Sequence, residues 1–132
     1  MSDIRMVESG QMGRVAYGRI APNEDLVQSV EKLFLAQGFR NAFVRGALGS
    51  LVDACIARSD GSCIVIRGPA AEIVSLAGEV RSHPDGSLQA ALTGVVVDTR
   101  GHVYGGPFVA GANPVCVTFE VTLEEWLPEA AP

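Results

Sequence analysis

Apolar and polar positions alternate along most of the chain in ways that separate one helical stretch from a series of strand-like runs. GRVAYGRI, Gly13 to Ile20, alternates as a strand does and sets Val15 and Tyr17 on one face. Pro22-Asn23-Glu24-Asp25 then offers a helix N-cap followed by acidic side chains in a first turn, where the helix dipole favours them. Leu26, Val27, Val30, Leu33 and Phe34 recur at helical spacing and Gly38 is placed to stop the element, so the spacing predicts one helix over about residues 24–37.

Beyond Gly38 the runs are rich in Val, Ile, Phe and Thr and are punctuated by Gly, Pro, Asp and Ser, the signature of a mostly antiparallel sheet. Strands are expected near Asn41 to Arg45, Leu51 to Arg58, Cys63 to Arg67, Glu72 to Arg81, Leu88 to Val97, His102 to Tyr104 and Val115 to Leu123. The connections Ser59-Asp60-Gly61, His83-Pro84-Asp85-Gly86 and Asp98-Thr99-Arg100-Gly101 carry residues that tolerate tight or positive-φ geometry. One helix against a curved, mostly antiparallel sheet is the economical α+β architecture. Residues 1–12 read as an N-terminal extension, 13–124 as the domain, and 125–132 as a tail that is irregular after Trp126.

CIVI, GVVV and VCVTFEV are nearly continuous apolar runs, where a sheet with one wet face should alternate. Both faces of those strands then need cover, and one helix can cover only part of one. Burial between subunits supplies the rest; a closed, barrel-like monomer with a filled interior is the other solution.

At 132 residues, 48% of them hydrophobic, the chain is long enough for one domain with a sizeable core. Fifteen acidic against 10 basic side chains give a net charge of −5, which opposes general attraction to nucleic-acid phosphates. The basic residues are scattered singly, and no Arg-Gly-Arg-Pro element of the AT-hook type occurs. The charged start MSDIRMVESG lacks the apolar core of a secretory signal, and no apolar stretch approaches the length of a membrane span, so a cytoplasmic location is expected. Cys55, Cys63 and Cys116 are odd in number and lie in apolar runs, where they read as small buried hydrophobes rather than a disulfide framework.

Gly46, Gly49, Ser50 and Leu51, then EIVSLAG (Glu72 to Gly78), then Gly101, Gly105 and Gly106, then a last strand around Glu120 follow one another in a characteristic order. That order, over about residues 14–123, resembles the plant and prokaryote conserved (PPC) domain, found alone in prokaryotes and in plant AT-hook proteins. The resemblance implies a trimer-forming α+β fold, hence a homotrimer, and brings with it a provisional DNA-binding label. Many prokaryotic members carry a His-x-His pair before the turn and a third His after the Gly-Gly, which together hold zinc. Those positions fall here on Ala91, Thr93 and Pro107, none of which supplies an imidazole. A branch without the metal is therefore implied, and no cofactor is expected. The plant partner-binding region corresponds to the neighbourhood of Glu72, although Gly68-Pro69-Ala70-Ala71-Glu72 lacks the plant Arg-Phe.

Other chemistry is weaker. His83 and His102 read as solvent-facing loop residues. A triad from Ser50 or Ser75, a histidine and Asp53 lacks a nucleophile elbow. RGALGS, Arg45 to Ser50, has the glycines of a phosphate cradle but is followed by a strand, and reads as a glycine-rich corner between two strands. Glu72, Glu79 and Glu120 need partners, for which Arg45, Arg67 and Arg81 are the candidates. The expectation is a non-catalytic binding or assembly module that takes a protein partner or a small molecule. The rival is an enzyme or small-molecule binder using the zinc cleft of the histidine-bearing relatives, whose fold resembles acetolactate decarboxylase, with Arg45, Thr93 and His102 as its candidate ligand residues.

Overall fold

The computed structural model describes residues 3–129. Its elements follow in the order β1 (Gly10–Ile20), α1 (Leu26–Ala36), β2 (Asn41–Ala57), β3 (Cys63–Ser82), β4 (Leu88–Val97), β5 (Val103–Pro107) and β6 (Val115–Pro128). The strands form one six-stranded sheet in the order β1-β6-β2-β3-β4-β5, every neighbouring pair antiparallel. An isolated bridge between Ile56 and Phe108 brings the end of β2 to the segment after β5, so the sheet curls toward itself without closing.

The helix ends are set locally. The Asp25 side chain accepts from the backbone N–H of Gln28 as an N-cap, so the acidic residues expected inside the first turn stand before it. At the other end Gly38 has a φ of +71°, Gly38 N–H donates to Leu35 C=O, and Phe39 N–H donates to Phe34 C=O. That double bond is a Schellman stop, completed by an edge-to-face contact of Phe34 and Phe39 with ring centroids 6.3 Å apart. Leu26, Val27, Val30 and Phe34 are buried against the concave face of the sheet, where Leu51, Val80, Val96 and Phe119 meet them. Each such burial is worth about 1.5–3 kcal/mol.

A buried polar knot pins the helix start to the sheet. Asn113 N–H donates to Asp25 Oδ1, and Leu26 N–H donates to Asn113 C=O. The Asn113 side chain accepts from Cys55 N–H at 2.7 Å and donates to the carbonyls of Cys55 and Val109.

The structure departs from the sequence reading at several joints. The expected breaks at Gly46–Ser50 and around Gly68 lie inside the single long strands β2 and β3. The pairing shifts register between Val44 and Gly46, between Gly49 and Leu51, and between Leu51 and Asp53, so these glycines mark bulges. Gly49 has a φ of +145°, and a Cβ there would lie 2.3 Å from the Thr118 carbonyl oxygen; its glycine answers a close approach of β6, not a corner. β5 begins at Val103 and carries Gly105 and Gly106 within it. β6 runs past Trp126 to Pro128 by pairing with Gly10 and Gln11, and Glu129 N–H donates to Ser9 C=O. Cys55 is buried as expected and Cys116 is half-buried, but Cys63, at the lip of the β2–β3 hairpin, is exposed. The three expected turns are present, with Gly61, Gly86 and Gly101 at φ values of +88°, +87° and +85°.

Candidate functional site

The face of the sheet turned away from α1 carries the positions that hold metal in histidine-bearing relatives. Thr93 on β4 stands directly opposite Pro107 on β5, and Ala91, two residues along β4, shares their face. The three positions form one exposed patch on that face. What they present is a methyl group, a hydroxyl and a pyrrolidine ring. Zinc takes imidazole, thiolate or carboxylate ligands, so these residues do not fit a zinc ion. The nearest carboxylate in the pairing register, Glu79 opposite Ala91, is 3.1 Å from Arg81 Nε. Among the described residues no three His, Cys, Asp or Glu side chains gather to hold an ion.

Arg45 and His102 stand apart from that patch. Arg45 lies on β2, two strands from β4, and its Nε is 3.1 Å from Glu124 on β6, the side away from Thr93. His102 lies beyond the Val97–Val103 pair that closes the β4–β5 hairpin. From Thr93 to Val97 is four residues, or about 13 Å at roughly 3.3 Å per residue. The structure therefore joins Thr93 to Pro107 and leaves Arg45 and His102 elsewhere. Glu72 is exposed on β3, between Ser50 and Val97, with no ion-pair partner among the described residues.

Several other carboxylates have partners on the same chain. Glu120 faces Arg19 across the β1–β6 ladder and accepts from the Tyr17 hydroxyl; Tyr17 first, then Arg19, hold its carboxyl below the ordinary range. Arg67 pairs with Asp53 at 3.5 Å, and Arg81 reaches both Glu79 and Glu8. Glu8 also accepts from the Trp126 indole, which ties the segment before β1 to the end of β6. Of the triad candidates, Ser50, Asp53 and both histidines are engaged elsewhere. Ser50 Oγ accepts from Val117 N–H, Asp53 Oδ1 accepts from Gly68 N–H, and His83 contacts Gln89.

His102 has a partner that spacing alone could have suggested. Asp98 Oδ1 accepts from the backbone N–H groups of Arg100 and His102, and Asp98 Oδ2 lies 3.2 Å from His102 Nδ1. Desolvation works to raise the Asp98 pKa, but those hydrogen bonds outweigh it and leave the carboxyl below its ordinary value. Asp at the first position of a tight turn is the sequence signal for such an arrangement.

The remaining part of the exposed face is mixed, with apolar side chains standing among ion pairs such as Arg19–Glu120 and Arg45–Glu124. Val15, Tyr17, Leu48 and Val103 project from it, with Val15 60% and Leu48 56% exposed. Phe43 and Trp126 pack edge to face beside them, ring centroids 6.2 Å apart. In CIVI, Val65 is half-exposed, and in VCVTFEV, Val117 is 71% exposed. One chain thus leaves uncovered part of what the continuous apolar runs indicated.

Comparison with known proteins agrees with this architecture. A bifunctional protein GlmU of Synechococcus sp. is 33% identical over 107 residues, which is 81% of this chain and 16% of that protein, so the match is to a small segment of a much longer relative. Among solved structures, a plant- and prokaryote-conserved protein of Pyrococcus horikoshii superposes with a TM-score of 0.81 at 22% identity, covering 94% of this chain and 86% of that one. A metal-containing protein of Archaeoglobus fulgidus gives 0.74 at 23% identity, covering 95% and 88%. A protein of Bacteroides thetaiotaomicron with a provisional DNA-binding name gives 0.72 at 12% identity, covering 91% and 85%. The Plants and Prokaryotes Conserved (PCC) domain matches residues 7–127, and with the one-helix curved sheet just described this places the chain in that family.

Proposed function

We propose that this chain is a non-catalytic binding and assembly module that works in the cytoplasm as a homotrimer. The observation that carries the proposal is the exposed face of the sheet, where Val15, Tyr17, Leu48 and Val103 stand uncovered across its width and the family ligand positions are Ala91, Thr93 and Pro107. Exposed apolar side chains of this kind gain from burial against another copy, and a patch with one hydroxyl offers little to chemistry. Homology to a segment occupying 16% of a longer bifunctional protein supports a module that is used in different contexts.

DNA binding, the provisional label of the Bacteroides neighbour, has little physical support in this chain. Its net charge is −5, and Arg14, Arg19, Arg45, Arg67 and Arg81 each already face a carboxylate on the same chain. The enzymatic rival keeps a convergent patch but only Thr93 as a polar group in it.

Native mass spectrometry of tag-free protein tests the proposal. A bare particle of three 13.8 kDa chains is the expected result. A monomer overturns the assembly reading, and three retained metal ions or small molecules per trimer restore the enzyme.

A further inference from the structure

From the cavity at the open end of the β4–β5 hairpin we infer a binding site for a small phosphate-type anion, formed by Arg67, Arg100 and His102. The cavity holds about 450 Å³ between the start of β3 and the hairpin turn, with Thr99 and Tyr104 also in its wall. It is distinct from the patch of Ala91, Thr93 and Pro107, and its assignment does not depend on subunit number.

Three features make this wall selective for an anion. Two arginines from different parts of the chain, Arg67 on β3 and Arg100 in the turn, line one space. Arg100 has no ion-pair partner among the described residues, and Arg67 has only Asp53, at 3.5 Å, with its own side chain 81% exposed. The second feature is the state of Asp98, the carboxylate in that wall. Its side chain is only 15% exposed, and both oxygens are taken up inside its own turn by two backbone N–H groups and the His102 ring. Its hydrogen-bonding capacity is thereby spent within the turn, while Arg67 and Arg100 in the same wall keep theirs for a ligand.

The third feature is the orientation of His102. With Nδ1 donating to Asp98, Nε2 is left without a partner among the described residues, and it becomes an N–H donor when the ring takes up a proton. Guanidinium forks match the tetrahedral oxygens of phosphate or sulfate, and a third donor completes a shallow cradle. The charged and titratable groups around His102 are Asp98 and Arg100 in its own turn, Arg67 on β3 with Asp53 behind it on β2, and Tyr104 on β5. A polyanion is a poor fit, because the whole chain carries a net charge of −5 and this site is small.

Sulfate is the probe of choice, since its charge is constant from pH 6 to pH 8, and inorganic phosphate follows as the biological form. The full-length chain is titrated at fixed ionic strength against chloride while backbone amide and arginine Nε–H resonances are followed by NMR. Saturable shifts confined to Arg67, Gly68 and residues 98–104 are expected. Arg67→Ala and Arg100→Ala are each expected to weaken binding about tenfold, as loss of a charge-assisted hydrogen bond does. His102→Gln is expected to weaken binding while the rest of the spectrum stays unchanged. Absence of saturation at tens of millimolar sulfate overturns the proposal. So does a shift pattern that persists in the Arg67→Ala/Arg100→Ala double variant, whose surface positions leave the fold intact.

Discussion

Replacing Asn113 by alanine tests whether the buried knot beneath the helix holds the two halves of the fold together. The residue is fully buried and its side chain makes three hydrogen bonds. Two of the acceptors have a second donor: Cys55 C=O also receives Val109 N–H, and Val109 C=O also receives Ala112 N–H. The Cys55 N–H has only Asn113 Oδ1, so truncation leaves a buried donor unpaired at about 1–3 kcal/mol, and the two further bonds add roughly 1 kcal/mol. The sum is about 3 kcal/mol, a fall in melting temperature of roughly 10 °C for a domain of this size. Urea unfolding followed by Trp126 fluorescence, at one fixed chain concentration, measures it. A loss below 1 kcal/mol with an unchanged m-value refutes the accounting, because it means that Cys55 N–H finds a replacement partner.

The other expectations concern the sheet, the turns and the uncovered face. Gly78→Ala places a Cβ 2.0 Å from the Ala91 carbonyl oxygen at a φ of +142°, and is expected to cost more than about 3 kcal/mol or to abolish soluble expression. Gly46→Ala meets nothing within 4 Å and is expected to stay within about 0.5 kcal/mol of the parent by the same urea assay. The folded pKa of Asp98 lies below the ordinary aspartate value, so its stabilising effect is present above that ordinary value and is lost as pH falls below it toward the depressed folded pKa. Asp98→Asn should therefore flatten the acid limb of a stability–pH curve in that window, and a curve of unchanged shape counts against the turn geometry. Leu48→Lys, on the uncovered face, is expected to lower the subunit number in light scattering while the far-ultraviolet circular dichroism is kept.

The helix was readable in the sequence to within two residues at each end because its signals are local: a capping segment from Pro22 to Asp25, in which the structure picks Asp25, a stripe from Leu26 to Phe34, and a glycine stop. The turns at Asp60, Asp85 and Asp98 were readable for the same reason, each Asp accepting from a backbone N–H two residues on. The continuity of β2 and β3 was not, because Gly49 and Gly68 carry the same letters whether a chain turns or another strand passes close by. Only the presence of Thr118 C=O beside Gly49 tells the two apart, and that neighbour is 69 residues away, the difference of 118 and 49. At the candidate sites, the meeting of Thr93 and Pro107 followed from the hairpin. The association of Arg67 with the Asp98 turn did not, since it depends on how far β3 extends beyond β4.

The strand order has a consequence for synthesis. Gly10 pairs with Pro128, 118 residues later by the same subtraction, so the first strand made finds its only sheet neighbour in the last. At about 5–20 residues per second on a ribosome, β1 and the apolar stripe of α1 wait several seconds for β6. The β2–β3–β4–β5 meander, joined by short turns, can meanwhile zip up as it emerges. Arrival of β6 between β1 and β2 is then the step that closes the core, and any stall or truncation before residue 115 leaves a preformed meander with its β2 edge open to other chains.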